Sequence, residues 1–167
     1  MSTDSRLTGK TKALSMVTRP VVLVAEDDPV FRRVIQFSIQ AAGFDCQVAA
    51  NGADALDILD SKPIDFLVTD HQMPVCSGLQ LIEQLRVRSS HKELPIVLCT
   101  AKGYELNATE LIERLSLVAV IRKPFSPKQL TTLIAQAFAN RSARELPAPE
   151  LSRLATQCCG ATDATES

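Results

Sequence analysis

Three short apolar runs end in charge, and that pattern constrains the fold more than any other feature of the chain. Val21-Val22-Leu23-Val24-Ala25 runs into Glu26-Asp27-Asp28, residues 64–69 run into Asp70, and Val118-Ala119-Val120-Ile121 runs into Arg122-Lys123-Pro124-Phe125. Continuous apolar runs of this length, bounded by turn residues, fit strands covered on both faces. Ile96-Val97-Leu98-Cys99-Thr100 and residues 45–50 supply two more. If the runs lie parallel, three acids and one lysine gather at one edge of a sheet, an arrangement that can bind a divalent cation and move a phosphoryl group.

Helical patterns separate the runs. Asp28-Pro29 offers an N-cap followed by proline at the first helical position. Val30, Val34, Phe37 and Ala41, with Phe31, Ile35 and Ile39, then predict a broad apolar face ending at Gly43. Asn51-Gly52 marks a turn before a short helix over 53–60, and Pro63 breaks the chain before the next run. A third helix is predicted over 78–89, with Leu79, Ile82 and Leu85 on one side, and a fourth over 104–115, carrying Leu111, Ile112 and Leu115. The fifth strand is predicted over 117–121, and Ser126-Pro127 caps a helix whose face is Leu130, Leu133, Ile134, Ala137 and Phe138. Strict alternation predicts an α/β fold: a doubly wound, flavodoxin-like parallel sheet of five strands in the order 2-1-3-4-5, with helices on both faces. Residues 1–19 read as a disordered tail, 20–140 as the folded domain and 141–167 as a mobile extension.

Composition narrows the partners. Aromatic residues make up 4% of the chain and tryptophan is absent, so aliphatic side chains must fill the core. A formal net charge of -1 provides no field to gather nucleic acid or an anionic membrane. Cysteines at 46, 76, 99, 158 and 159 show neither zinc-type pairing nor a disulfide framework, which suits a reducing compartment. No signal peptide and no membrane-length apolar stretch is present, so the expected location is the cytoplasm.

Ligands of open parallel sheets sit at the carboxyl ends of the strands. Those ends would deliver Glu26, Asp27, Asp70, Thr100 and Lys123 to one place. Two carboxylates about 4 Å apart repel by roughly 4 kcal/mol at an effective dielectric near 20. Magnesium, which prefers hard oxygen ligands, is the natural compensating charge, and a carboxylate so placed can act as a nucleophile and form an acyl phosphate. Asp28 reads as a helix cap. His71 reads as a surface or packing side chain, because the residue after a strand end points away from its predecessor. Nothing near Cys76 suggests a lowered thiol pKa.

Glu26-Asp27-Asp28-Pro29, Asp70-His71-Gln72-Met73-Pro74, Thr100-Ala101 and Lys123-Pro124-Phe125, in this order over roughly 20–140, resemble the receiver domain of bacterial response regulators. The resemblance implies that Asp70 accepts a phosphoryl group from a histidine kinase or phosphotransfer protein. It implies that Glu26, Asp27 and Asp70 hold magnesium with the backbone carbonyl of Gln72, that Thr100 donates its hydroxyl to the phosphoryl group, and that Lys123 pairs with it. It further implies a cis Lys123-Pro124 bond and a target-binding surface on the fourth helix, fifth strand and fifth helix. Two departures stand out: Val120 occupies the place of the usual switch aromatic, and Leu115-Ser116-Leu117 replaces the usual small-residue turn. Gln72 and Lys102 stand where the family faces the attacking water, which predicts a long-lived phosphorylated state. The resulting expectation is a single-domain response regulator, a signalling module that catalyses only its own phosphorylation and dephosphorylation. The alternatives are a phosphorylation-independent scaffold of the same fold and a magnesium-dependent aspartyl-phosphate phosphatase, which would want a second acid where this chain has Gln72.

Overall fold

The alternation of apolar runs and helical patterns builds a five-stranded parallel sheet in the order β2-β1-β3-β4-β5. The computed structural model describes residues 19–101 and 107–145, with side chains through Arg141. In chain order the elements are β1 (Val21–Ala25), α1 (Pro29–Ala41), β2 (Asp45–Ala49), α2 (Gly52–Ser61), β3 (Phe66–Asp70), α3 (Gly78–Val87), β4 (Ile96–Thr100), α4 (Ala108–Leu115), β5 (Ala119–Arg122) and α5 (Pro127–Glu145). The sequence-predicted fold class and strand order hold. Of the expected tails, residues 1–19 and 141–167, positions 1–18 and 146–167 with Cys158 and Cys159 lie outside the described residues, as do Lys102 and Tyr104, whereas 141–145 continue α5 rather than starting an extension.

Each strand side feeds its own core. Leu23, Leu67, Ile96 and Leu98 pack with Leu59, Leu81, Ile82, Leu85, Leu111 and Leu115 beneath α2, α3 and α4. Val22, Val24, Phe66, Val68 and Val97 pack with Ile35, Ile39, Leu130 and Ile134 beneath α1 and α5. β3 and β4 are buried at every position, which is why their sequence alternates so little between apolar and polar.

Local boundaries shift where a side chain or turn intervenes. β3 starts at Phe66 rather than 64, because the Asp65 carboxylate accepts the Val21 N–H at 2.8 Å. β5 starts at Ala119, because the Leu117 N–H closes the end of α4 on the Ile112 carbonyl at 3.0 Å. α4 starts at Ala108, where the Asn107 side chain caps it by accepting the Glu110 N–H at 3.3 Å. The broad apolar face predicted for α1 is narrower in fact. Ile35 and Ile39 are fully buried and Phe31 partly, whereas Val30 and Phe37 are 73% and 72% exposed. A helix resting on a flat sheet buries one stripe, and the sequence period alone does not limit its width.

Candidate functional site

Register decides which side chains meet. Ala25 pairs with Thr69, Asp70 with Cys99 and Thr100 with Arg122, so the acidic turn after β1, the last residue of β3, the last of β4 and the residue after β5 share one edge. The acidic turn is fixed twice. Asp28 caps α1 by accepting the Val30 and Phe31 N–H groups at 2.8 and 2.7 Å, as expected, while Arg32 reaches back to donate to the Glu26 carbonyl at 2.6 Å. Lys123 is anchored by its own backbone, whose N–H donates to the Thr100 carbonyl at 2.8 Å, and the Lys123-Pro124 bond is cis, as expected.

At the centre, the Lys123 ammonium lies 2.8 Å from Glu26 Oε2 and 2.9 Å from Asp70 Oδ1. The other oxygens are also engaged: the Asp28 N–H approaches Glu26 Oε1 at 3.4 Å, and the Gln72 N–H donates to Asp70 Oδ2 at 3.3 Å. Glu26, Asp70 and Thr100 are 2%, 6% and 1% exposed, so these contacts form away from bulk water. Burial pushes the Glu26 carboxyl above its ordinary range, and the nearby Asp70 charge adds to this against the Lys123 hydrogen bond. For Lys123, burial works against the charge, but the bonds to both carboxylates outweigh it and hold the ammonium above its usual range. The Phe31 ring lies 4.9 Å from the ammonium and meets Phe125 edge-on at 5.3 Å between centroids, walling the site on the α1 side.

Carboxylate oxygens of Glu26, Asp27 and Asp70 all lie within 4.8 Å of one another, and Asp27 is exposed. Among the described residues these three acids face one ammonium, which leaves a surplus of negative charge beside the exposed Asp27, the donor set that a hard, oxygen-seeking cation fits. The structure therefore brings together Glu26, Asp27, Asp70, Thr100 and Lys123.

The sequence underrated two residues. His71 does not merely pack: its Nδ1 lies 3.3 Å from Thr100 Oγ1. Arg86, which carries no sequence signal, donates through Nε to the Leu115 carbonyl at 2.7 Å and through Nη2 to the Ser116 carbonyl at 3.2 Å, holding the turn that departs from the family pattern. Val120 is half-buried against the α2–α4 side of the core. Cys46, Cys76 and Cys99 are buried free thiols whose pKa values burial raises, Cys46 to about 12.

A parallel sheet with a carboxylate at the end of its central strand and a lysine after its last defines a class of signalling module. The chain belongs to the response regulator receiver domain family, whose pattern it matches over residues 22–135. It is 31% identical over 129 residues to the DNA-binding transcriptional regulator NtrC of Escherichia coli (strain K12), covering 77% of this chain and 27% of that protein. It is 32% identical over 134 residues to the sensor histidine kinase TmoS of Ectopseudomonas mendocina, covering 80% of this chain and 14% of that one. Among solved structures, the chemotaxis response regulator CheY4 of Vibrio cholerae is similar with a TM-score of 0.65 and 26% identity, over 71% of this chain and 98% of that one. The chain thus spans well under a third of the two larger relatives. Among the described residues no helix is long and apolar enough to cross a membrane.

Proposed function

We propose that Asp70 is a phosphoacceptor, taking a phosphoryl group from the phosphohistidine of a histidine kinase or phosphotransfer protein. The observation that carries this reading is the Asp70 carboxylate itself: 6% exposed, ending the central strand, 2.9 Å from the Lys123 ammonium and within 4.8 Å of the Glu26 and Asp27 carboxylate oxygens. An Asp70 oxygen attacks phosphorus, the P–N bond to the donor imidazole breaks with its electron pair leaving on nitrogen, and an acyl phosphate remains. Lys123 would exchange one carboxylate partner for a phosphoryl oxygen, and Thr100 would donate its hydroxyl to another. Glu26, Asp27, Asp70 and the Gln72 carbonyl are the groups that would hold magnesium, which when bound supplies charge neutralisation for in-line phosphoryl transfer. Loading Asp70 would change the balance of charge around Lys123 and Thr100 and bias the ends of β4 and β5, and α4, β5 and α5 would carry that change to a target protein.

The test is direct. Incubation with a small-molecule phosphodonor and magnesium should add the mass of one phosphoryl group to the chain and none to Asp70→Asn. No adduct, together with no binding of beryllofluoride, would overturn the reading.

A further inference from the structure

Thr100 ends β4 at the acidic edge with a buried hydroxyl, and its surroundings raise a question the family pattern does not answer: what engages it before a phosphoryl group arrives. It is 1% exposed, so bulk water does not compete for it. The His71 ring comes within 3.3 Å, Nδ1 to Oγ1. That contact is built by the fold rather than by a wandering side chain. The His71 N–H donates to the Cys99 carbonyl of β4 at 2.7 Å, and its carbonyl accepts the Gly78 N–H at the start of α3 at 3.1 Å. Pinned on both sides, the half-buried imidazole bridges the end of β3 to the end of β4.

A hydroxyl has a single proton to give. We propose that Thr100 gives it to His71 Nδ1 in the unphosphorylated chain, so that His71 acts as a positioning residue, a latch that a phosphoryl group must displace before it can take the Thr100 hydroxyl. The ring proton then sits on Nε2. With Val120 in place of a ring that could swing behind Thr100, the imidazole is the group that registers the departure of the hydroxyl, and it does so on the β3–α3 side. This inference rests on the phosphoacceptor reading of Asp70.

The experiment titrates beryllofluoride with magnesium against the full chain and follows the His71 ring nitrogens by NMR. His71→Ala should bind roughly three- to tenfold tighter, the factor one neutral hydrogen bond is worth. His71→Asn, whose amide oxygen can stand where Nδ1 stands, should return the affinity toward that of the unmutated chain. In a Thr100→Val background His71→Ala should have no effect, and in the unloaded chain Thr100→Val should shift the Nδ1 resonance. Unchanged affinity in His71→Ala overturns the latch. So does weaker affinity, which means the imidazole donates to Thr100 and supports the loaded state, and so does an effect that persists without the hydroxyl. An unmutated chain that binds no beryllofluoride overturns the phosphoacceptor reading and the latch with it, whereas binding without a His71 effect overturns the latch alone.

Discussion

Each end of the sheet holds a cation, and the two are satisfied in opposite ways. At the carboxyl end Lys123 sits between two charged groups, Glu26 and Asp70, at 2.8 and 2.9 Å. At the amino end Arg86 of α3 donates to neutral acceptors: the Leu115, His91, Lys92 and Ser116 carbonyls, at 2.7, 3.3, 3.1 and 3.2 Å. The electrostatics follow. Burial lowers the Arg86 pKa, with the Glu93 charge acting against it, while the two carboxylates carry that of Lys123 upward. Backbone carbonyls cannot leave, so Arg86 is a clasp between the loop before β4 and the turn before β5. Carboxylates can be phosphorylated or can take a metal ion, so Lys123 has partners that chemistry can change. One end is fixed by geometry, the other is poised by charge.

The contrast breaks if both cations respond alike to substitution. Arg86→Met should have the largest effect, a loss of about 3 kcal/mol in denaturant unfolding as several carbonyls lose donors, and magnesium should restore none of it. Lys123→Met should cost about 2 kcal/mol in the absence of divalent ions, between the cost of breaking an exposed pair and a buried one. Added magnesium should recover most of that loss, because it supplies the missing positive charge. Recovery in both variants, or in neither, would remove the distinction between clasp and poised charge.

Two smaller effects sharpen it. Val75, in the loop that follows Asp70, holds a φ of 66° with its side chain 85% exposed. A β-branched residue in the left-handed region is strained, and here no packing repays it. Val75→Asn should therefore stabilise the chain by about 1 kcal/mol, read as a rise in Tm. At the other end Arg88 pairs with both Asp60 oxygens at 2.8 Å, but in the open. Arg88→Ala should change stability by less than about 0.5 kcal/mol, and a larger loss would mean that the amino end depends on charge after all.

What the sequence made legible follows the same division. The poised end was readable because its chemistry is carried by residue types at strand ends: Glu26, Asp27, Asp70, Thr100 and Lys123 each announce themselves by following an apolar run. The clasp was not, since an arginine in a helix that bonds backbone carbonyls looks like any solvated arginine until the turns beside it are in place. The contact between His71 and Thr100 was illegible for a related reason. The neighbour of His71 across the strands is set by the pairing of Asp70 with Cys99, a register that no local pattern reveals. On α1 the apolar period is real, but burial stops at the stripe facing the sheet, and leaves Val30 and Phe37 outside it. Asn107, by contrast, was a readable cap that the apolar pattern of its helix overshadowed.

Gly78, the first residue of α3, stands so close behind Asp70 that an added Cβ would overlap the Asp70 carbonyl oxygen. Every amino acid one base change away from a glycine codon brings such a carbon. At this codon the usual gradation between mild and severe missense changes should vanish. Alanine, normally the gentlest replacement, should already push α3 away from the end of β3, and a saturation library should return glycine nearly alone among folded clones.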